Sequence, residues 1–274
     1  MNILIVDGNE KEASDKYMKI GMDTQYDVYS KILQKIAKNN LNITVIHPAI
    51  NDDFIPKGLS LEDFEGVAWT GSLLNIYDDT PSIKRQINLA KKLFDIKNSI
   101  FGSCWGLQVL VTAAGGKVRK NPNGLEAVIA KKIILNESGI KHPMYNGKIS
   151  KFDSFCWHYD EAELLPEKTT ILASNEKSKI QAISFKKNQS TIWAVQYHPE
   201  FDPHWMSCLM GQREKILLSE GLFKNKNEFN NYKNFFSDIL KFKKSQNNLR
   251  IEDSLINQEV HTRELYNWLN FLKN

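Results

Sequence analysis

The residues best suited to chemistry lie in the segment Ser99 to Gly116, which reads SIFGSCWGLQVLVTAAGG. Its apolar start predicts a strand, and the residues after Cys104 predict a helix that ends at Gly115-Gly116, where glycine can adopt a left-handed cap conformation. A cysteine between glycines at a strand-to-helix turn has the context required of a nucleophile elbow. The flanking glycines allow the backbone to fold tightly around the apex residue. This turn predicts that Cys104, at its apex, is a nucleophile.

The helix that begins directly after Cys104 should also affect the protonation of its thiol. The positive end of a helix dipole lowers the pKa of a thiol from its unperturbed value of about 8.5. We therefore expect a larger thiolate fraction at neutral pH. The alternative is a small buried hydrophobe in a glycine-rich turn, a common role of a lone cysteine. Cys156 and Cys208 have no partner base in the sequence, and we expect both to be core thiols.

A partner base for the thiol is offered by His198, which directly follows the strand predicted over Ile192 to Tyr197. Histidine can accept and donate a proton near pH 7. Glu200 could hydrogen-bond the second ring nitrogen and fix its tautomer, as the acid of a catalytic triad does. Alone, His-Pro-Glu could equally be an ordinary polar turn. Together with the cysteine turn, it predicts a catalytic triad of Cys104, His198 and Glu200.

Strands and helices alternate in the part of the chain that must position these residues. Strands are predicted over Ile3 to Val6, Ile43 to Ile46, Gly66 to Trp69 and Ser99 to Phe101, and helices over Asp23 to Asn39, Pro81 to Leu93 and Trp105 to Ala114. This alternation predicts an α/β fold with a doubly wound, mostly parallel sheet and flanking helices. Shorter strands are predicted afterwards over Val128 to Leu135, Thr170 to Ala173, Ile180 to Phe185 and Thr191 to Gln196.

From about residue 205 the sequence changes to helical patterns joined by connectors rich in Asn and Lys. We expect a catalytic domain over residues 1–205 and a C-terminal helical extension over 206–274. Trp268, Leu269 and Leu272 follow helical spacing and predict a helix that docks on the catalytic domain. The alternative is that the extension packs on another chain, for instance in a homodimer. The basic run Lys241 to Lys244 is predicted to be a solvated helix face.

The composition restricts the class of protein. The chain has 274 residues, of which 42% are hydrophobic and 25% charged, as in soluble globular proteins. Its net charge of +4 is too small to imply nucleic-acid binding. It has neither a signal peptide nor a run of about 18 apolar residues, so we expect a cytoplasmic protein that binds no membrane. Three cysteines argue against a disulfide framework.

Metal and nucleotide motifs are missing from the sequence. It contains no CxxC, HExxH, GxGxxG or GxxxxGKS pattern. We therefore expect no metal and no cofactor.

The segments GSCWGLQ (Gly102 to Gln108) and AVQYHPE (Ala194 to Glu200) together resemble the class I, triad-type glutamine amidotransferases, in particular the glutaminase domain of GMP synthase. The resemblance covers about residues 1 to 205 and implies a flavodoxin-like fold. Gly66 to Ser72, GVAWTGS, matches the strand and glycine turn of that family. The resemblance implies that the backbone N–H groups of Gly71 and Trp105 form the oxyanion hole.

The same resemblance suggests which residues contact the substrate. Gln108 matches the glutamine that contacts the α-amino and carboxylate end of the substrate. Trp157 to Asp160, followed by Leu165-Pro166, resembles the Ser-His-x-Asp and Leu-Pro stretch of the GMP synthase branch, with Trp157 in place of the serine. His158, Tyr159 and Asp160 are therefore candidate substrate contacts, although His158 could instead be a packed residue.

The implied reaction is attack of Cys104 on the side-chain amide of glutamine, with a γ-glutamyl thioester as intermediate. The first expectation is a glutaminase that releases ammonia to a synthetase on another chain, because no synthetase motif follows residue 205. A stand-alone hydrolase of γ-glutamyl amides or peptides would use the same thioester chemistry. A catalytically silent binding subunit is the third alternative, and the presence of Cys104, His198, Glu200 and Gln108 argues against it.

Overall fold

The computed structural model describes residues 1–239 and 251–273, and a mixed nine-stranded sheet forms its centre. The strands are β1 (Asn2–Val6), β2 (Asn42–Ile46), β3 (Gly66–Trp69), β4 (Ser99–Ser103), β5 (Lys117–Lys120), β6 (Glu126–Leu135), β7 (Lys151–His158), β8 (Asp160–Leu164), β9 (Thr170–Ser174), β10 (Ala182–Lys187) and β11 (Ser190–Val195). The sheet order is β2-β1-β3-β4-β11-β10-β9-β6-β7, and β5 pairs separately with β8.

Helices cover both faces of this sheet. They are α1 (Lys11–Lys19), α2 (Gln25–Ile36), α3 (Pro81–Phe94), α4 (Trp105–Ala113), α5 (Glu137–Lys141), α6 (Pro203–Gln212), α7 (Glu214–Ser219), α8 (Lys226–Ser237), α9 (Asp253–Ile256), α10 (Gln258–His261) and α11 (Arg263–Phe271). The predicted α/β fold class with flanking helices is thus confirmed. None of the helices in the described ranges is long and apolar enough to span a bilayer.

The half of the sheet that runs from β2 to β11 is parallel. Trp69 on β3 pairs with Gly102 on β4, and Gly102 pairs with Ala194 on β11. The carboxyl ends of these three strands therefore lie side by side, where open α/β sheets bind their ligands. Cys104 follows β4 directly, and Gly71 and His198 follow β3 and β11 within three residues.

The other half of the sheet, from β11 to β7, is antiparallel. β10 and β11 are joined by the two residues Asn188-Gln189, with Lys187 paired to Ser190. A connection this short can join only antiparallel strands, because a parallel pair needs a long crossover.

Local signals explain where the helices begin and end. Thr24 and Asp27 form a reciprocal capping box at the start of α2, and Pro81 is the first residue of α3. After α4, Gly115 has a φ of 97°, as the sequence predicts for a glycine cap. The sequence does not predict α1, because this helix is largely polar and Glu10 provides no side-chain cap.

The helices after β11 pack on the rest of the protein. Trp268 on α11 is fully buried beside Phe101, and its indole N–H donates to Ser99 Oγ at 3.1 Å. α11 lies so close to β3 that a Cβ added to Gly66 would be 2.5 Å from Leu272. The expected boundary at residue 205 falls inside α6. The basic run Lys241 to Lys244 lies outside the described residues.

Candidate active site

Cys104 is the apex of the tight turn between β4 and α4. Its backbone has φ 51° and ψ −100°, which is strained for a residue with a side chain, and its N–H donates to Val195 O at 2.8 Å. A Cβ on Gly102 would lie 2.8 Å from the Gly106 carbonyl carbon, and a Cβ on Gly106 would lie 2.8 Å from Trp69 O. Only glycine fits at both positions, so the motif forms the turn that the sequence predicts.

His198 and Glu200 form a buried pair at the end of β11. His198 Nδ1 lies 2.6 Å from Glu200 Oε1. The backbone N–H of His198 donates to Phe155 O. The imidazole stacks on Phe201, with 3.9 Å between ring centroids. His198 and Cys104 both line one small pocket. The geometry therefore suits a base and acid next to the thiol.

The second oxygen of the Glu200 carboxylate is bound by residues that the sequence analysis did not identify. Ser103 Oγ donates to Glu200 Oε2 at 2.9 Å and is itself hydrogen-bonded to the Tyr29 hydroxyl. Burial raises the pKa of Tyr29 well above its ordinary value, so its hydroxyl keeps its proton. Ser103 could have been found from its place beside Cys104, whereas Tyr29 lies on α2 and has no local signal.

The protonation of Cys104 differs from the sequence-based expectation. Burial and, next, the negative charge of Glu200 raise the pKa of the thiol above its ordinary value, and a contact with the Trp105 N–H lowers it only in part. The expectation of a lowered thiol pKa is therefore wrong for this structure. The helix dipole is present, but removal of the thiol from water outweighs it. The S–H group contacts Trp157 O at 3.5 Å.

Gly71 and Trp105, whose backbone N–H groups are expected to form an oxyanion hole, lie next to His198 and Cys104, respectively. Trp105 is the first residue of α4, where an N–H has no partner within its own helix. Gly71 lies against His198, since a Cβ on it would be 2.7 Å from His198 Cε1. A side chain at position 71 would displace the imidazole, so this turn requires glycine for steric reasons.

Two connected pockets meet at Cys104. The first, which we call the Gln108 lobe, has walls that include Lys16, Asn75, Gln108, His158, Tyr159 and Asp160. The second and smaller one, the His198 lobe, has walls that include Tyr17, Gln25, His198, Phe201, Trp205 and Leu209. The residues Ser72, Leu73, Cys104, Trp157 and Arg213 line both lobes. All the residues predicted to contact the substrate thus lie in the Gln108 lobe.

His158 is held on both sides of its ring. Nδ1 lies 2.9 Å from the backbone oxygen of Asp160, and Nε2 lies 2.9 Å from Glu126 Oε2. Although burial acts to raise it, the pKa of Glu126 is lowered by hydrogen bonds from His158, Asn175 and Gln181. Both ring nitrogens of His158 therefore have protein partners. The Asp160 side chain accepts a hydrogen bond from Tyr77, and Tyr159 is half-buried.

The two other cysteines lie in different environments. Cys156 is fully buried, as expected, and burial raises the pKa of its thiol well above the ordinary value. Cys208 on α6 is only partly buried at the edge of a core cluster, with Sγ 3.9 Å from His204 Nε2, so the prediction of a core thiol holds only in part for this residue. In residues 1–239 and 251–273, no group of three or more His, Cys, Asp or Glu side chains could hold a metal ion.

Comparisons with known proteins identify relatives of this chain. The model of the family "Glutamine amidotransferase class-I" matches residues 22–210. A γ-glutamyl-L-1-hydroxyisopropylamide hydrolase from a Pseudomonas species is 30% identical over 99% of this chain and 93% of its own length. The γ-glutamyl peptidase 4 of Arabidopsis thaliana is 28% identical over 55% of this chain and 59% of its own length.

A similar fold occurs in a solved glutamine amidotransferase from Thermotoga maritima. It is 15% identical and matches 99% of this chain and 97% of its own, with a TM-score of 0.68. The family model covers more than half of the chain, and it spans the cysteine turn and the His198 turn alike. The chain therefore belongs to the class-I glutamine amidotransferase family.

Proposed function

We propose that this protein hydrolyses γ-glutamyl amides in which the amide nitrogen carries a carbon substituent, with Cys104 as the nucleophile. The observation that carries the proposal is the extent of one similarity. The Pseudomonas hydrolase of a substituted γ-glutamyl amide matches 99% of this chain, the helices after residue 205 included. Two residues from this part of the chain, Leu209 and Arg213, line the lobe beside His198.

In the first half of the reaction, Cys104 attacks the γ-carbonyl carbon while His198 Nε2 takes up the thiol proton. The transfer accompanies the attack because the raised pKa keeps the buried thiol protonated beforehand. The negative charge that develops on the carbonyl oxygen is stabilised by the N–H groups of Gly71 and Trp105. Such preorganised donors contribute on the order of 10² to 10³ in rate.

In the second half, His198 donates its proton to the departing amine, and the γ-glutamyl group remains on sulfur as a thioester. Water enters, loses a proton to His198 and cleaves the thioester, which releases glutamate and restores the thiol. Glu200 holds Nδ1 of His198 at 2.6 Å and so fixes the tautomer that both steps require. Ser103 holds Glu200 in turn.

The glutamyl part of the substrate is assigned to the Gln108 lobe. Gln108 lies one helical turn after Cys104, within reach of the α-amino and carboxylate groups. Tyr159 and Asp160 line the same lobe. His158 positions this wall through its bonds to Asp160 and Glu126, since both of its ring nitrogens are occupied.

The glutaminase that supplies ammonia to a synthetase, which the sequence suggests first, has weaker support than the hydrolase. The kinetics of the isolated protein distinguish the two. We expect kcat/KM for a substituted γ-glutamyl amide to exceed that for glutamine by about tenfold or more. A preference for glutamine would contradict the proposal, and no turnover of either compound would indicate a silent binding subunit.

The thioester is tested with matched cysteine variants. Cys104→Ala is expected to abolish turnover, because the thiolate alone forms the covalent intermediate. Cys156→Ala, which removes another buried thiol, should retain most activity. Intact-mass spectrometry of quenched reactions should find a γ-glutamyl adduct in the wild type and in Cys156→Ala, and none in Cys104→Ala. An adduct that persists without Cys104 would overturn the assignment.

A further inference from the structure

The two lobes that meet at Cys104 differ greatly in size. The Gln108 lobe has a volume of about 300 Å³, and the His198 lobe has a volume of about 20 Å³. A cavity needs about 10–15 Å³ to hold one water molecule, so the His198 lobe has room for a single water. It has no room for the carbon substituent of a leaving amine or for an amine that would act as an acceptor.

The walls of the His198 lobe offer few polar atoms. They include four buried side chains, Tyr17, Phe201, Trp205 and Leu209. The indole N–H of Trp205 already donates to Asp23 O at 2.9 Å. A buried water makes about two to four hydrogen bonds, so a water in this lobe depends on the polar atoms that remain.

One of these polar atoms is the amide oxygen of Gln25. Gln25 lines the lobe and is only 5% exposed, and its Oε1 makes no hydrogen bond within residues 1–239 and 251–273. A buried polar atom that lacks a protein partner is usually satisfied by an ordered water. The Gln25 amide therefore indicates a water in this lobe.

The same amide oxygen lies close to the proposed base. Gln25 Oε1 lies 2.7 Å from the place of a Cβ on Gly71, and His198 Nε2 lies 3.5 Å from that place. Both atoms therefore border one small volume beside the turn that is expected to form the oxyanion hole. Nδ1 of His198 is bound to Glu200, which leaves Nε2 as the ring nitrogen that can take up a proton from a water there.

We infer that Gln25 and His198 bind the water that hydrolyses the Cys104 thioester, with one O–H of the water donating to Gln25 Oε1 and the other to His198 Nε2. This orientation leaves a lone pair of the water oxygen for attack on the thioester carbonyl carbon. The proton on the His198 side moves to the imidazole as the new C–O bond forms. The C–S bond then breaks with its electron pair on sulfur, and the imidazolium returns the proton to the thiolate.

This inference rests on the proposed function only through the Cys104 thioester, and it does not depend on which amine leaves. It also restricts what the thioester can react with. A water can attack from the His198 lobe, whereas any larger nucleophile must approach from the side of the Gln108 lobe and cannot use the Gln25 amide.

The test measures how the thioester is divided between water and hydroxylamine. L-Glutamine and γ-glutamylethylamide form the same thioester, which water converts to glutamate and hydroxylamine converts to γ-glutamyl hydroxamate. The ratio of these products depends on attack on the thioester and not on its formation, whichever step limits turnover. In the wild type, equal ratios from the two substrates verify that they share the intermediate.

The variant Gln25→Leu removes the acceptor at similar volume. We expect the ratio of hydroxamate to glutamate to rise about tenfold, because water loses one of the two hydrogen bonds that orient it and hydroxylamine does not. Without hydroxylamine, kcat/KM reports formation of the thioester and should change less than about threefold for either substrate. The matched control is Gln34→Leu, since Gln34 lies on the same helix, bonds Leu41 O and lines neither lobe. It should leave the product ratio unchanged.

The outcomes separate this inference from the proposed function. An unchanged product ratio in a folded Gln25→Leu would overturn the inference and leave the proposed function intact. Wild-type turnover of glutamine alone would contradict the proposed function, while the product ratio from glutamine would still decide the role of Gln25. No wild-type turnover of either substrate would overturn both.

A crystal structure of the wild type tests the water without any substitution, should Gln25→Leu fail to fold. We expect one ordered water within hydrogen-bond distance of both Gln25 Oε1 and His198 Nε2. A His198 lobe that is closed by a rotated Gln25 side chain, with no water between these two atoms, would overturn the inference.

Discussion

Each oxygen of the Glu200 carboxylate has a separate partner, His198 Nδ1 on one side and Ser103 Oγ on the other. A carboxylate held at both oxygens cannot rotate, so the imidazole that it orients is also fixed. The Tyr29 hydroxyl extends the chain of hydrogen bonds to α2. The orientation of the proposed base therefore depends on a side chain next to the nucleophile as well as on Glu200.

This dependence predicts the effect of Ser103→Ala, which leaves Glu200 Oε2 without its hydroxyl donor. We expect kcat to fall about tenfold with KM unchanged, consistent with the loss of one hydrogen bond to a charged group. Tyr29→Phe removes only the outer bond and should have a smaller effect. In a Glu200→Gln background, Ser103→Ala should cause no further loss. Additive losses in this double-mutant cycle would show that Ser103 acts independently of Glu200.

The raised pKa of the Cys104 thiol predicts an unusual pH dependence of its alkylation. Iodoacetamide reacts with the thiolate, and a raised pKa makes the thiolate fraction at any given pH smaller than that of free cysteine. The rate at Cys104, followed by peptide mapping, should therefore still rise with pH above about 8.5. A plateau below that pH would contradict the raised pKa.

The control for this measurement is Glu200→Gln, which removes one of the charges that raise the thiol pKa. Alkylation of Cys104 near neutral pH should become faster in this variant. Hydrolysis of the substrate should become slower, because the imidazole loses its orienting carboxylate. Opposite changes in the two rates would separate the electrostatic effect of Glu200 from its positioning effect.

At the level of elements, three adjacent strand ends bring the site together. The alternation of strands and helices predicts β1, β3 and β4 together with α2 and α3, because each of these elements has a strong local pattern. The turn at Cys104 is predicted for the same reason. The order of the antiparallel strands is set by contacts between distant parts of the chain, and no local pattern reports it. The contact of Tyr29 with Ser103 was missed because Tyr29 lies in no recognisable motif.

The close approach of α4 to β3 predicts the effect of Gly106→Ala. The new methyl group would lie 2.8 Å from Trp69 O, a backbone atom that cannot move freely. We expect a loss of about 1–3 kcal/mol in the free energy of unfolding and a lower kcat, because α4 carries the Trp105 N–H. Chemical denaturation and steady-state kinetics would measure the two effects.

Gly211→Ala is the matched control for this substitution. Gly211 is exposed on α6, where the nearest atoms belong to the flexible side chain of Lys233. Alanine favours a helix over glycine by about 1 kcal/mol, so this variant should be as stable as the wild type or more stable. If Gly106→Ala were equally harmless, the contact between α4 and β3 would not restrict position 106.

At the level of the whole molecule, a buried ion pair connects the C-terminal helix to the segment just before β7. Lys148 Nζ lies 2.6 Å from Glu264 Oε2, and the two side chains are 1% and 0% exposed. Glu264 also accepts a hydrogen bond from the Tyr197 hydroxyl, one residue before His198. The sequence predicts that this helix docks through apolar residues, but a pairing of positions 148 and 264 has no local signal.

This ion pair predicts that Glu264→Gln is strongly destabilising. The substitution leaves the ammonium of Lys148 buried without a counter-charge, which typically costs about 3–5 kcal/mol. The double variant Lys148→Met/Glu264→Gln should recover part of that loss in urea denaturation. Glu137→Gln, in the exposed pair with Lys141, should change stability by less than about 1 kcal/mol. A single variant Glu264→Gln with wild-type stability would contradict this account.

The position of Trp268 also has a consequence for biosynthesis. During translation, β4 and the cysteine turn emerge from the ribosome long before α11 does. The surface that Trp268 covers beside Phe101 and Ser99 must remain uncovered during that interval. Exposed apolar surface of this kind binds chaperones and promotes aggregation. The nascent chain can therefore acquire its secondary structure early, but its core closes only after residues 263–271 have been synthesised.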